Sequence, residues 1–213
     1  ARVSPDGRWL LVHAWVGHKQ TRVLLRDLAA PGSDWRVVVD GPEVTVEAFV
    51  VEGRLIVHTD YKAPNFRVMT ADVAAPGIDH WRELVPEGAD ALTGISLVGE
   101  QLIANTLRDA ASRLLRFDIE GTFLGEMALP GLGSCGSPTG EWGGDHAYYR
   151  FQSTLHPRTL YRLDLASGES TFHDAAVKEF DPAPYVVKQL WFSSADGTRV
   201  PMFVTHRRDL VLD

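Results

Sequence analysis

Several groups of residues have the types that chemistry uses, and each can be checked against the spacing that chemistry requires. A serine nucleophile of the Gly-x-Ser-x-Gly kind sits on a tight strand-to-helix turn that lifts its hydroxyl clear of the backbone. The nearest approach here is Gly94-Ile-Ser-Leu-Val98, which lacks the second glycine and lies inside an apolar strand pattern. Ser96 therefore reads as an ordinary strand serine. Gly131-Leu-Gly-Ser-Cys-Gly136 has the form Gly-x-Gly-x-x-Gly. A nucleotide-binding turn of that form needs a strand before it, a helix after it and an acidic residue about 20 positions on. Pro138 and Gly140 stand where the helix should begin, so this stretch reads as a turn. The eight histidines are His13, His18, His58, His80, His146, His156, His173 and His206. They include no His-x-x-x-His or His-Glu-x-x-His pair, so none has the spacing of a metal site. His13 and His58 lie in strand patterns and read as packed or hydrogen-bonded. Cys135 has no evident partner base to activate its thiol and reads as inert. No metal and no cofactor is expected.

Four aspartates recur with a regularity that chemistry does not need. Asp27, Asp72, Asp118 and Asp164 stand 45, 46 and 46 residues apart. Repeated carboxylates raise the thought of calcium. Each, however, closes an apolar run just before a turn, where a carboxylate caps backbone N–H groups. Capping is the expected role. Trp35 and Trp81, 46 apart, read as hydrophobic seals rather than ligand platforms.

The elements that carry these residues repeat with them. Gly7-Arg-Trp-Leu-Leu-Val12, Gly53-Arg-Leu-Ile-Val57, Gly99-Glu-Gln-Leu-Ile-Ala104 and Asp145-His-Ala-Tyr-Tyr-Arg150 begin 46 residues apart. A fixed period of about 20–50 residues marks a repeat architecture. Each repeat reads as four short strands. The first strands are Ala1 to Ser4, Val44–Val51, Leu92–Val98 and a weaker Ser134–Trp142. The second is the glycine-led strand and the third ends in the aspartate. The fourth strands are Trp35–Val39, Trp81–Val85, Phe123–Leu129 and Thr171–His173. Val, Leu, Ile and aromatic runs of this length suit strands, and Pro-Gly and Asp-Gly pairs punctuate the turns. No convincing amphipathic helix appears. Four antiparallel strands per period is a propeller blade, which buries its faces only against neighbouring blades.

The expected fold is therefore all-β: a partial β-propeller of about four four-stranded blades over residues 1–182. The period stops near Asp181-Pro-Ala-Pro184. Residues 183–213 read as a hairpin, with strands Tyr185–Ser193 and Arg199–His206 around Ser194-Ala-Asp-Gly-Thr198.

Composition narrows the partners. A net charge of −7 argues against a general nucleic-acid binder. A single cysteine allows no intrachain disulfide, which suits a reducing compartment. No stretch approaches the 18 apolar residues of a membrane span. Both ends are abrupt, so a fragment is expected. An open half-ring would expose the apolar faces of its end blades, and self-association is expected from that.

Five stretches together resemble the prolyl oligopeptidase family of serine peptidases: Ser4-Pro-Asp-Gly-Arg-Trp-Leu10, Thr59-Asp-Tyr-Lys-Ala-Pro-Asn-Phe-Arg67, Trp81-Arg-Glu-Leu-Val-Pro-Glu87, Phe151–Tyr161 and Ser194-Ala-Asp-Gly-Thr-Arg-Val-Pro-Met-Phe203. They occur in the family's order along the whole chain. The resemblance implies a seven-bladed, unclosed propeller capping an α/β-hydrolase domain. That propeller admits only short peptides to a Ser-Asp-His triad that cleaves after proline. On this basis the chain holds about the last four blades and the first hairpin of the hydrolase domain. The triad would lie beyond Asp213, and no residue here has a catalytic role. The implied partners are short proline-containing peptides and the implied compartment is the cytoplasm. The resemblance also places Trp15 and His18 in a loop facing the substrate cavity, although family members often carry an arginine where Trp15 stands. The rival reading from the residues alone is a stand-alone propeller serving as a protein-interaction scaffold.

Overall fold

The computed structural model describes residues 1–16, 20–30, 32–41, 43–175 and 181–210. Among these the regular structure is strand throughout, apart from one 3-10 turn at Ile78–His80. The first sheet contains β1 (Arg2–Val3), β2 (Trp9–Val16), β3 (Gln20–Asp27) and β4 (Arg36–Val39). The second contains β5 (Val46–Val51), β6 (Arg54–Thr59), β7 (Arg67–Asp72) and β8 (Arg82–Val85). The third contains β9 (Ala91–Val98), β10 (Gln101–Arg108), β11 (Ala111–Phe117) and β12 (Phe123–Met127). In each, consecutive strands are neighbours. The pairings are antiparallel, and equivalent pairs repeat the register: His13↔Val23, His58↔Val68 and Asn105↔Leu114.

The fourth repeat departs from the expected pattern. Its first strand, read from sequence as one run over Ser134–Trp142, is two fragments, β13 (Ser134–Cys135) and β14 (Thr139–Gly140). Both pair with β15 (His146–Gln152), which continues to β16 (Thr159–Asp164) and β17 (Ser170–Ala175). The cause lies in Gly136-Ser-Pro138. Proline has no N–H to give to a ladder. The chain therefore bows out after the Gly136 N–H bonds the Arg150 carbonyl. A last hairpin follows, β18 (Tyr185–Ser193) with β19 (Arg199–Arg207), in unbroken register from Tyr185↔Arg207 to Ser193↔Arg199.

A β-bulge recurs between the third and fourth strands of each of the four repeats, at Val23/Leu24, Val68/Met69, Arg116/Phe117 and Leu160/Tyr161. Bulges sharpen the local twist; they fall at the equivalent position in the first, second and fourth repeats and two residues further along in the third. The glycine that leads the second strand is set by geometry, most tightly at Gly99. Its φ is +55°, and a Cβ there would lie 2.3 Å from Leu165 Cδ1 and 2.9 Å from the Gly144 carbonyl oxygen. Only glycine meets both demands without strain.

The chain forms two compact units, Ala1–Leu92 and Thr93–Asp213. In the first, Leu11, Val23 and Leu25 of the first sheet join Ala48, Leu55, Val57 and Met69 of the second in one buried cluster. In the other, Ile103 and Leu114 of the third sheet join Tyr149, Phe151 and Leu163 of the fourth. Stacking sheet on sheet thus removes the apolar faces from water, as repeats of this kind require. In the second and third sheets burial falls from the first strand to the last: β5 and β9 are largely buried, whereas β8 and β12 are largely exposed.

The two tryptophans that precede fourth strands do not share a role. Trp81 is 9% exposed, donates its indole N–H to the Pro76 carbonyl at 2.9 Å and meets Tyr61 edge-on. It is a seal. Trp35 is 41% exposed, with only the Arg26 guanidinium above its ring. The difference lies in the preceding segment. The 3-10 turn at Ile78–His80 leads straight into Trp81, while among the described residues no such turn precedes Trp35.

Candidate functional site

The four recurrent aspartates are spent on their own turns. Asp27 accepts the Ala29 N–H and a two-pronged contact from Arg8. Asp72 accepts the Ala74 N–H. Asp118 accepts those of Glu120 and Thr122, and Asp164 that of Ser167 together with its hydroxyl. Hydrogen bonds to the ionised form favour it. The Arg8 contact accordingly lowers the carboxyl pKa of Asp27, the Thr122 N–H that of Asp118, and the Ser167 N–H that of Asp164. Among the described residues, no group of three or more His, Cys, Asp or Glu side chains could hold a metal ion.

A second repeated feature joins successive sheets. In the second strand of each of the first three repeats, an equivalent polar side chain bonds the backbone of the next first-strand segment. His13 Nε2 accepts the Ala48 N–H at 3.0 Å. His58 Nε2 lies 3.0 Å from the Leu92 carbonyl oxygen, so it carries the proton. Asn105 Nδ2 donates to the Cys135 carbonyl at 2.9 Å. In the fourth repeat the position in register is Arg150, opposite Leu160 and exposed. Both histidines are therefore hydrogen-bonded strand residues, as their patterns implied. Asn105 was not distinguishable in sequence, because an amide in place of an imidazole hides the equivalence. Carbonyls just after the repeat aspartates take a matching contact: Arg36 donates to Val73 and Arg116 to Leu165, each at 2.7 Å.

The residues considered for nucleophilic roles are also held in structural bonds. Ser96 Oγ donates to the Pro138 carbonyl, inside a strand. Ser153 and His156 form a contact that the sequence did not single out, with Oγ 3.1 Å from Nδ1. The same hydroxyl accepts the N–H groups of Leu155 and His156. This closes a local turn, with the oxygen's lone pairs engaged rather than free for attack. Gly131–Gly136 leads into β13 with no helix behind it. Cys135 is partly buried, and burial pushes its thiol up to about 11. Against the ordinary value of 9.0 that cuts the thiolate fraction about 100-fold. A disulfide reagent at pH 8 should label the folded chain roughly 100-fold more slowly than the urea-unfolded chain. Equal rates would show an open, activated thiol.

Of the two residues placed near a substrate cavity, Trp15 lies close to the end of β2, paired with Thr21 and 64% exposed. An indole left so open is free to meet a ligand or partner. His18 lies outside the described residues.

A concave feature of the second unit runs along β15. One cleft, of about 320 Å³, is lined by Ser137, Thr139, Tyr148, Arg150 and Arg158 among others. The next, of about 410 Å³, includes Leu132, Pro157, Val187 and Phe203, so it lies between the fourth sheet and the terminal hairpin. Ser134, Gln152 and Arg158 line both. The hairpin is held there by Gln189 Nε2 donating to the Asp109 carbonyl and by the Thr154 and Thr205 hydroxyls, 2.9 Å apart. The groove can bind; it assembles no nucleophile, base and acid in line. Its signal in sequence is faint, since it arises from the interruption at Gly136-Ser-Pro138 rather than from a motif.

Comparison with known proteins bears on this arrangement. Residues 1–175 match the model of the prolyl oligopeptidase N-terminal β-propeller domain. The prolyl endopeptidase of Elizabethkingia miricola is 29% identical over 212 residues, which is 99% of this chain and 30% of that protein. The dual function macrocyclase-peptidase POPB of Galerina marginata is 25% identical, over 100% of this chain and 30% of its own length. A solved prolyl endopeptidase structure superposes with a TM-score of 0.86 at 34% identity, covering 98% of this chain and 31% of that one. The apo structure of prolyl oligopeptidase B from Galerina marginata, at 22% identity and a TM-score of 0.84 over 97% of this chain and 31% of its own, shares the fold. The chain thus spans about 30% of the length of the relatives it matches. With antiparallel sheets repeating along the chain and a family match over residues 1–175, the chain belongs to the prolyl oligopeptidase family, through that family's N-terminal β-propeller domain.

Proposed function

We propose that this chain is the propeller part of a serine peptidase that hydrolyses short peptides after proline, and that its task is to restrict which peptides reach the catalytic centre. The observation that carries this reading is the match of residues 1–175 to a propeller domain of that family. The bonding of Ser96, Ser153 and the aspartates into turns and strands supports it, since acyl transfer needs a nucleophile free to attack and a base poised beside it. The triad is assigned to sequence beyond Asp213. The propeller is assigned to residues 1–182. Residues 183–213 are assigned to the first hairpin of the catalytic domain. Leu190, Trp191, Phe192 and Met202 of that hairpin keep substantial exposure, an apolar surface that further chain of the same domain would cover. The partners are short proline-containing peptides. The compartment proposed is the cytoplasm, where the single thiol of Cys135 would stay reduced. Without its catalytic part the chain should self-associate, which sedimentation velocity at rising concentration would show as a growing mass.

The size filter is tested on the protein that carries the catalytic region. Its kcat/KM for a short proline peptide should exceed that for a long unfolded chain with the same site by ~10-fold or more. Equal values would remove the filtering role. In that protein, Trp15→Ala should raise KM for the short peptide several-fold with little change in kcat, the mark of lost uniform binding. Unchanged constants would take Trp15 out of the cavity.

A further inference from the structure

We propose that the groove along β15 is a binding site for the free α-carboxylate of a short peptide, with the peptide's terminal apolar side chain seated between the fourth sheet and the hairpin. The inference rests on the reading that peptides reach the propeller. It adds which peptides are held and by what.

The groove is built by departures from the repeat. In the second and third sheets the first strands, β5 and β9, run six and eight residues without a break. In the fourth, β13 and β14 cover only Gln152–Phe151 and Tyr148–Ala147 of their neighbour. Tyr149 has no partner on that side in the ladder. The chain approaches this gap as closely as a backbone can: a Cβ on Gly133 would lie 2.4 Å from the Gln152 carbonyl oxygen and 2.7 Å from Phe151 Cζ. It then swings away at Gly136, leaving the cleft open.

Charge identifies the ligand. Acidic residues outnumber Lys and Arg by 28 to 21, and several arginines are held in ion pairs: Arg2 with Glu47, Arg8 with Asp27, Arg67 with Glu83, Arg113 with Glu126. The guanidinium groups of Arg150 and Arg158 make no ion pair or hydrogen bond with any described residue, and both line the same cleft. Register brings them close: Arg150 stands opposite Leu160, and Arg158 directly precedes Thr159, which stands opposite Phe151. Two unpaired guanidiniums beside the hydroxyls of Ser137 and Thr139 suit a carboxylate, which accepts from a guanidinium fork bidentately. The adjoining cleft is apolar where Leu132, Val187 and Phe203 meet, and Arg158 and Gln152 belong to both cavities. A carboxylate at one end and an apolar side chain at the other describe the C-terminal residue of a peptide. Cavities of this size suit a few residues, not a folded partner.

The test uses the 213-residue chain and two probes, N-acetyl-Gly-Pro-Phe as the free acid and as its C-terminal amide. Titration calorimetry should show the acid binding ~10-fold or more tightly than the amide, the equivalent of one charge-assisted contact. The preference should shrink as salt is raised from 0.05 to 0.5 M, the ranges being about those over which screening becomes strong. Arg150→Gln and Arg158→Gln should each bring the acid's affinity toward that of the amide and leave the amide's unchanged. Arg158→Lys should restore part of the preference. Both positions are exposed, and unchanged thermal melting would confirm that the variants fold. Equal binding of acid and amide, a preference that survives the double variant, or no binding of either probe overturns the site. None of these results touches cleavage by the protein with its catalytic region, which tests the proposed function separately.

Discussion

Phe151→Ala should destabilise the chain by roughly 3–5 kcal/mol, the cost of deleting a fully buried phenylalanine ring. The residue is 0% exposed, at the middle of the fourth sheet and within the cluster that joins it to Leu114 of the third. Its ring meets His156 and Tyr161 edge-on, with centroids 5.9 and 6.5 Å away. Its rim lies where a side chain on Gly133 would be. Collapse is opposed on both sides by ladder-paired backbone, and the cavity should persist. For a chain of this size the loss corresponds to a fall in melting temperature of about 6–20 °C. Phe172→Ala on β17, where the ring is 64% exposed, should cost within about 0.5 kcal/mol. Urea unfolding of the two variants measures the contrast. Similar small losses in both would mean that the third and fourth sheets are not joined through Phe151.

Stability should also fall as pH is lowered below about 6.5, through His58 and His13. Burial is the leading cause that lowers the pKa of each below 6.5. At His13 the neighbouring Arg2 adds to the effect and Glu47 opposes it. At His58 the Leu92 carbonyl, Glu47 and Asp60 oppose it. A depressed histidine pKa means the unfolded chain binds protons first. The stability contribution is therefore fully present above the unfolded value of about 6.5 and is lost as pH falls from there toward the folded value. His58 can contribute a slope of at most about 1.4 kcal/mol per pH unit in that window. The half-buried His13 contributes a smaller, solvent-screened one. His13 carries a further consequence. Its Nε2 accepts the Ala48 N–H, and a proton there would turn acceptor into donor and break the link between the first two sheets. Urea unfolding at pH 7.5 and 5.5 should show the loss, and His58→Gln should flatten most of it. A pH-independent midpoint between about 7.5 and 5.5 would contradict the assignment, because histidine in the unfolded chain takes up its proton within that range.

Much of the architecture was legible because it is written with period. The spacing of Gly7, Gly53 and Gly99 and of the four aspartates located the second and third strands, and the structure places those carboxylates at strand ends as caps. Single positions whose environment depends on a neighbouring segment were less legible. Trp35 and Trp81 share a spacing, but among the described residues a 3-10 turn leads only into Trp81, the one that is buried as a seal. The fourth repeat read as one first strand because its residues are strand-compatible one at a time; Pro138 and the approach of Gly133 to Gln152 break it in space. The groove follows from that break. Arg150 and Arg158 look like ordinary surface charges in sequence, eight residues apart, and only the fold brings both to the lining of one cleft.

The most direct test of the central claim is to challenge the purified chain with substrate and with a serine-reactive probe together. A chromogenic peptide with proline before the scissile bond should release no colour above the buffer rate. A fluorophosphonate should add no mass to Ser96, Ser153 or any other serine in intact-protein mass spectrometry. That outcome is what a propeller whose chemistry resides elsewhere predicts. Turnover of the peptide together with a single stoichiometric adduct on one serine would contradict it, and would place the nucleophile within these 213 residues.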